Sequence, residues 1–253
     1  MRKGSVAVIG CGWLGEPLAH QLLQQGYTVY GTTTTVAKLP RLEASGILAS
    51  ELELPLSSGR SDLPTQTSVE SEPAAVQIQD LWSADQLILT IPPGREPSSL
   101  VSYPAAVLSA LLAYRRSQAS GRIIFTSSIG VYGKGHGLAL DRDTLPKIEN
   151  GTARQAALLL AESHVAVQSQ RPHRILRLGG LYGGDRHPGK YMAKLAAIPR
   201  PDEPINLVSR DCVIREMMAL LDQPFWSGTT TFNVVDPEHP SRGEYYAKFR
   251  ESV

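Results

Sequence analysis

A strand-forming run, Val6-Ala7-Val8-Ile9, leads without a break into Gly10-Cys11-Gly12-Trp13-Leu14-Gly15, and helix-forming residues follow. This G-x-G-x-x-G spacing turns a strand sharply into a helix and leaves bare main-chain N–H groups at the helix start. Gly10 permits the tight turn, Gly12 lets a ligand approach the main chain, and Gly15 lets the helix press against the sheet. Leu18, Leu22 and Leu23 give that helix an apolar face. Gly26 ends it ahead of a second strand, Tyr27-Thr28-Val29-Tyr30. A cluster of amides at a helix N-terminus suits a diphosphate, so strand, turn and helix together point to a dinucleotide.

The same alternation continues along the chain. A helical stretch carrying Lys38 and Arg41 follows Thr32 to Thr35, and residues 57–80, rich in Ser, Pro, Glu and Gln, read as a surface loop. Leu87-Ile88-Leu89-Thr90-Ile91 is a buried strand ending at Pro92-Pro93-Gly94. A helix runs through Ala105 to Leu112, and the strand Arg122 to Thr126 delivers Ser127-Ser128-Ile129-Gly130-Val131-Tyr132-Gly133. A glycine-rich, exposed segment to Asn150, a helix over 152–168 and a strand over 174–178 come next. The pattern predicts an α/β fold, a Rossmann-type doubly wound parallel sheet. Residues 1–180 form the dinucleotide-binding domain in this reading. Residues 181–253 form a small C-terminal substrate lobe over the strand ends, with strands returning to the sheet.

Composition removes several classes of partner. Net charge is +1, with no basic cluster of the kind nucleic acid requires. No apolar run approaches the roughly 18 residues of a membrane span. The basic N-terminus meets glycine too early for a signal peptide, so a cytoplasmic protein, monomer or homodimer, is expected. Cys11 and Cys212 lie far apart, without metal-ligand spacing, so neither a disulfide nor a metal site is expected. Cys11 reads as a small packed residue rather than a redox centre.

Several segments agree in order with one superfamily: the glycine loop, Thr90-Ile91-Pro92-Pro93-Gly94, the Ser-Ser-x-x-Val-Tyr-Gly run at 127–133, and Leu176-Arg177-Leu178-Gly179-Gly180-Leu181-Tyr182-Gly183. Ser209-Arg210-Asp211, Phe232 to Asp236 and Ser241 to Tyr246 extend the agreement. The chain resembles the extended, NAD-dependent epimerase/dehydratase-like branch of the short-chain dehydrogenase/reductases, in an atypical, compact subgroup. That resemblance implies a Ser, a Tyr acting as acid/base and a Lys that tunes the Tyr and binds the nicotinamide ribose. Ser128 matches the Ser, and Glu162 matches a Glu four residues beyond the Lys. Counting back from Glu162 gives Leu158 and Arg154, and no Tyr or Lys lies between Asn150 and Val167. The Tyr-x-x-x-Lys dyad is missing. Arg154, too basic to exchange a proton near neutrality, does not replace its Tyr.

The candidate catalytic set is therefore Ser128, Tyr132 and His136. Tyr182, Arg186 and Arg242 are the substrate-binding candidates. Arg177, on a strand, reads as the partner of a core carboxylate. Gly10, Cys11, Gly12, Trp13, Leu14, Gly15, Thr32, Thr33, Thr34, Ile91, Pro92, Pro93 and Ser127 make up the expected cofactor site. The place where an NAD site would carry a carboxylate for the ribose 2′-OH falls at Thr32 or Thr33, and no carboxylate appears until Glu43, so NADP is favoured with NAD as the alternative. Two functions stay open. One is an NAD(P)-dependent oxidoreductase or epimerase/dehydratase-like enzyme for a small polar substrate, sugars included. The other is a non-catalytic NADP(H)-binding module that senses redox state or regulates a partner.

Overall fold

The computed structural model describes residues 3–56, 73–117, 121–133, 151–168, 171–186, 197–224, 226 and 229–249. Its centre is a seven-stranded, all-parallel sheet in the order β3-β2-β1-β4-β5-β6-β9. The strands are β1 (Ser5–Ile9), β2 (Thr28–Thr33), β3 (Leu48–Glu51), β4 (Gln86–Leu89), β5 (Arg122–Ser128), β6 (His173–Leu178) and β9 (Thr229–Val234). A separate parallel pair, β7 (Gly180–Tyr182) with β8 (Leu207–Ser209), lies beyond the end of β6. The helices are α1 (Gly15–Gln24), α2 (Leu39–Ala44), α3 (Pro73–Trp82), α4 (Pro97–Arg116), α5 (Ala153–Gln168), α6 (Arg210–Asp222) and α7 (Arg242–Ala247).

The near-continuous apolar strands follow from burial on both faces, and side-chain alternation divides them between two cores. Val6, Val8, Ile88, Ile124 and Leu176 point to one side, where α1 contributes Leu18 and Leu22 and α6 contributes Ile214 and Met217. Ala7, Ile9, Leu87, Leu89 and Phe125 point to the other, against Val107 and Leu111 of α4 and Ala161 and Val165 of α5. The result is a helix–sheet–helix sandwich. Chain order reverses between β1 and β4, so the loops after these two strands diverge and open a crevice between them.

Two expectations are corrected. Part of the 57–80 stretch is helix, because α3 begins at Pro73; its Leu81 and Trp82 are buried in the second core. The apolar length was also underestimated. The twenty residues of α4 meet the length and hydropathy test for a membrane span. Yet Tyr103, Val107, Ala110, Leu111 and Tyr114 are buried, the signature of a core helix packed on one face.

Candidate functional site

The glycine loop is held from two sides by three hydrogen bonds. Gly10 takes a φ of 102°, a left-handed conformation open to glycine, and its N–H donates to the Thr32 hydroxyl at 3.0 Å. The Cys11 N–H donates to the Thr32 carbonyl at 2.6 Å, and the Thr90 hydroxyl donates to the Gly10 carbonyl at 2.8 Å. β2 and β4 thus fix the loop that β1 delivers. A Cβ on Gly15 would lie 2.2 Å from the Gly10 carbonyl oxygen and 2.6 Å from the Thr90 hydroxyl. We expect Gly15→Ala to cost about 3 kcal/mol or more in urea unfolding, the upper end of overpacking effects, because backbone has to move.

Gly12 differs. A Cβ there would meet nothing nearer than the Gly10 carbonyl oxygen, at 4.0 Å. The space beside it is open, and Leu14, the N-cap of α1, offers no side-chain cap to the first-turn amides. This is the cradle an anion would fill. Burial pushes the Cys11 thiol up to about 12, so it is an inert packed group there.

A cavity of about 820 Å³ opens above the strand ends. Every cofactor candidate but one lines it: Gly10 to Leu14, Thr32 to Thr34, Ile91 to Pro93 and Ser127; Gly15 is instead packed directly behind the loop. Thr32 is buried and secures the loop, while Thr33 accepts the Thr35 N–H at 3.1 Å. Thr34 and Thr35 are exposed at the cavity beside Lys38. Arg41 is instead paired through both nitrogens with Glu16. The charged side chains lining the cavity among the described residues are Lys38, Arg154 and Arg186, all cationic.

Of the catalytic candidates, Ser128 lines the cavity. Its oxygen accepts the Gly130 N–H at 3.1 Å, leaving its own proton for another acceptor. The Tyr132 hydroxyl accepts from Arg177 and donates to Asn233, each at 2.8 Å, outside the cavity lining. His136 lies outside the described residues. Arg177 is the buried partner of Glu162, through bonds of 3.1 and 2.8 Å, and Ser127 donates to the same carboxylate at 2.6 Å. The α5 ladder 154-158-162 is therefore oriented as the counting implies: Arg154 and Leu158 face the cavity, and Glu162 faces the core.

The substrate-binding candidates separate. Tyr182 donates to Asp236 at 2.8 Å, and that bond to a carboxylate pushes its phenol up. Arg186 lies over the Trp13 ring, 4.1 Å from its centroid, and Arg210 of α6 lies over the same ring at 4.9 Å. The Trp13 indole N–H donates to Asp185. Arg242 begins α7, away from the cavity lining, with its Nε buried and unpartnered among the described residues. Two features went unrecognised in the sequence: Arg210 beside Trp13, and Tyr103, which lines the cavity from α4. Neither had a local signal.

Sheet order, glycine loop and crevice together define a Rossmann-type fold, a doubly wound parallel sheet with a crevice at its reversal point. Residues 5–80 match the family described as the NAD binding domain of 6-phosphogluconate dehydrogenase. Across its length the chain is 33% identical to protein YeeZ of Escherichia coli K12, covering 95% of this chain and 81% of that one, and it belongs to the YeeZ family. Among solved structures, UDP-glucuronic acid 4-epimerase from Bacillus cereus in complex with NAD is similar at a TM-score of 0.69, with 19% identity over 98% of this chain and 83% of that chain. MoeE5 in complex with UDP-glucose and NAD is similar at 0.72, also at 19% identity, covering 99% and 82%.

Proposed function

We propose that this protein is an NADP(H)-dependent oxidoreductase or epimerase/dehydratase-like enzyme acting on a small polar substrate. One observation carries the reading: a crevice at the β1–β4 reversal is floored by an open glycine cradle, with Lys38 and Arg186 on its wall and no carboxylate lining it among the described residues. The loop 10–15 would hold the diphosphate through main-chain amides, and Ile91 to Pro93 with Ser127 would border the nicotinamide half. The cofactor supplies hydride exchange with a substrate carbon. Ser128 presents its hydroxyl proton to a substrate oxygen, and Leu158 lines the cavity one turn along α5 from Arg154. Tyr132 takes a positioning role through Arg177 and Asn233, and Arg186 flanks the loop on Trp13. Residues 1–180 form the dinucleotide unit in this reading, and 181–253 the substrate lobe.

The epimerase from Bacillus cereus and MoeE5 were solved with NAD, and MoeE5 also with UDP-glucose, which makes sugar nucleotides the first substrates to try. NADP is preferred here because Thr34, Thr35 and Lys38 occupy the cavity wall where an NAD site would carry a carboxylate. Lys38→Glu is expected to weaken NADP⁺ binding about tenfold to a hundredfold in calorimetric titration, with a much smaller effect on NAD⁺. Equal losses for both nucleotides would remove the 2′-phosphate assignment. The reading as a whole is tested by thermal shift with each oxidised and reduced nucleotide; no shift with any of them would end it.

A second reading keeps the cofactor and drops turnover. Arg154 and Leu158 at the dyad positions favour it, since neither exchanges protons near neutrality. Tight NADPH binding with no NADPH consumption across a panel of carbonyl compounds and sugar nucleotides would select this regulatory module.

A further inference from the structure

The first turn of α5 carries a charge that the rest of the site leaves unanswered. Arg154 donates to the Gly94 carbonyl at 2.8 Å, which fixes the guanidinium at the cavity while four of its five N–H groups stay available. It has no ion pair among the described residues, and no carboxylate lines the cavity. Glu162, two turns along α5, is committed to Arg177 and Ser127. The positive end of the α5 dipole adds to the field at this point.

A second group points the same way. Tyr103, 3% exposed, lines the cavity from α4, and its hydroxyl has no hydrogen-bond partner among the described residues. A buried hydroxyl left unpaired costs about 1–3 kcal/mol, which a ligand oxygen would relieve. Burial, then the nearby Glu162 carboxylate, pushes its phenol up, so it remains a donor at working pH. Arg154, bonded to Gly94 in the loop after β4, Tyr103, which feels its charge, and Ser128 at the end of β5 all line the cavity, whereas the glycine loop belongs to β1. Resting on the dinucleotide reading above, the cofactor's phosphates occupy the β1 loop, so they do not neutralise Arg154.

We propose that the substrate carries a carboxylate or phosphoryl group, and that Arg154 together with the Tyr103 hydroxyl receives it beside Ser128. The anion offsets the charge that α5 brings to the crevice, and the two donors set which substrate carbon faces the nicotinamide. Substrate recognition thereby falls in part on Arg154, the α5 position at which the resemblance places the Tyr.

The test is calorimetric titration of protein saturated with NADP⁺, using oxalate as the carboxylate probe and inorganic phosphate as the phosphoryl probe. At least one should bind saturably, and the preferred probe identifies the source of the anion. Arg154→Leu should weaken that probe about tenfold to a hundredfold, Arg154→Lys should restore part of the affinity, and Tyr103→Phe should weaken it severalfold. The affinity for NADP⁺ should stay within about twofold in all three variants. Tyr103→Phe removes an unpartnered hydroxyl, so its melting temperature should not fall. If NADP⁺ binds but neither probe does, or Arg154→Leu binds the probe as the parent does, the anion site is overturned and the cofactor reading stands. If the parent protein does not bind NADP⁺, both fall together.

Discussion

Gly12→Val is expected to raise the dissociation constant for NADP⁺ by about a hundredfold or more, while the melting temperature moves by no more than about 4 °C. The asymmetry comes from what surrounds the residue. A valine side chain there starts in open space, with the Gly10 carbonyl oxygen 4.0 Å away, so the fold has nothing to push against. The methyl groups would instead occupy the cradle beside the α1 amides. Gly15, three positions on, would give the opposite result, because its Cβ meets backbone at 2.2 Å. Comparing the two variants separates a ligand-facing glycine from a packing glycine. Unchanged affinity in Gly12→Val would mean that the diphosphate binds elsewhere.

Glu162→Leu is the largest stability effect we expect, about 3–5 kcal/mol in urea unfolding. Both partners of the Glu162–Arg177 pair are 8% exposed, and the carboxylate also accepts from Ser127. Removing it leaves a guanidinium buried with the Tyr132 hydroxyl as its remaining polar contact in this network. Adding Arg177→Met to the same chain should recover most of the loss, since an apolar pair of similar volume fills the space without a charge to desolvate. A loss below about 1 kcal/mol in the single variant would contradict the burial of the pair, because exposed ion pairs contribute that little.

Much of this was legible because it is local. The strand–loop–helix at 5–24 and the buried runs of β4, β5 and β6 each carry their signal within a dozen residues. Arg177 could be read as the partner of a core carboxylate because a charged residue inside an apolar strand needs one. The strand β3, Leu48-Ala49-Ser50-Glu51, escaped notice because it is short and only half apolar. The start of α3 was hidden by the Ser- and Gln-rich residues around it. Tyr103 was illegible for a different reason. On an apolar helical stripe it looks like any core aromatic, and only the fold brings it to the cavity with a buried hydroxyl that has no partner among the described residues. The cluster of Arg186 and Arg210 on Trp13 joins residues nearly two hundred positions apart, beyond any window of sequence pattern.

That cluster fastens the glycine-loop turn to the chain segment beyond β6. A ligand that orders the turn would also favour the contacts of Asp185, Arg186 and the start of α6, and thermodynamic reciprocity requires any such influence to run both ways. Under the dinucleotide reading, a molecule gripped by the carboxyl-terminal third would tighten the nucleotide by the same factor by which the nucleotide tightens it, with one indole as the mechanical link.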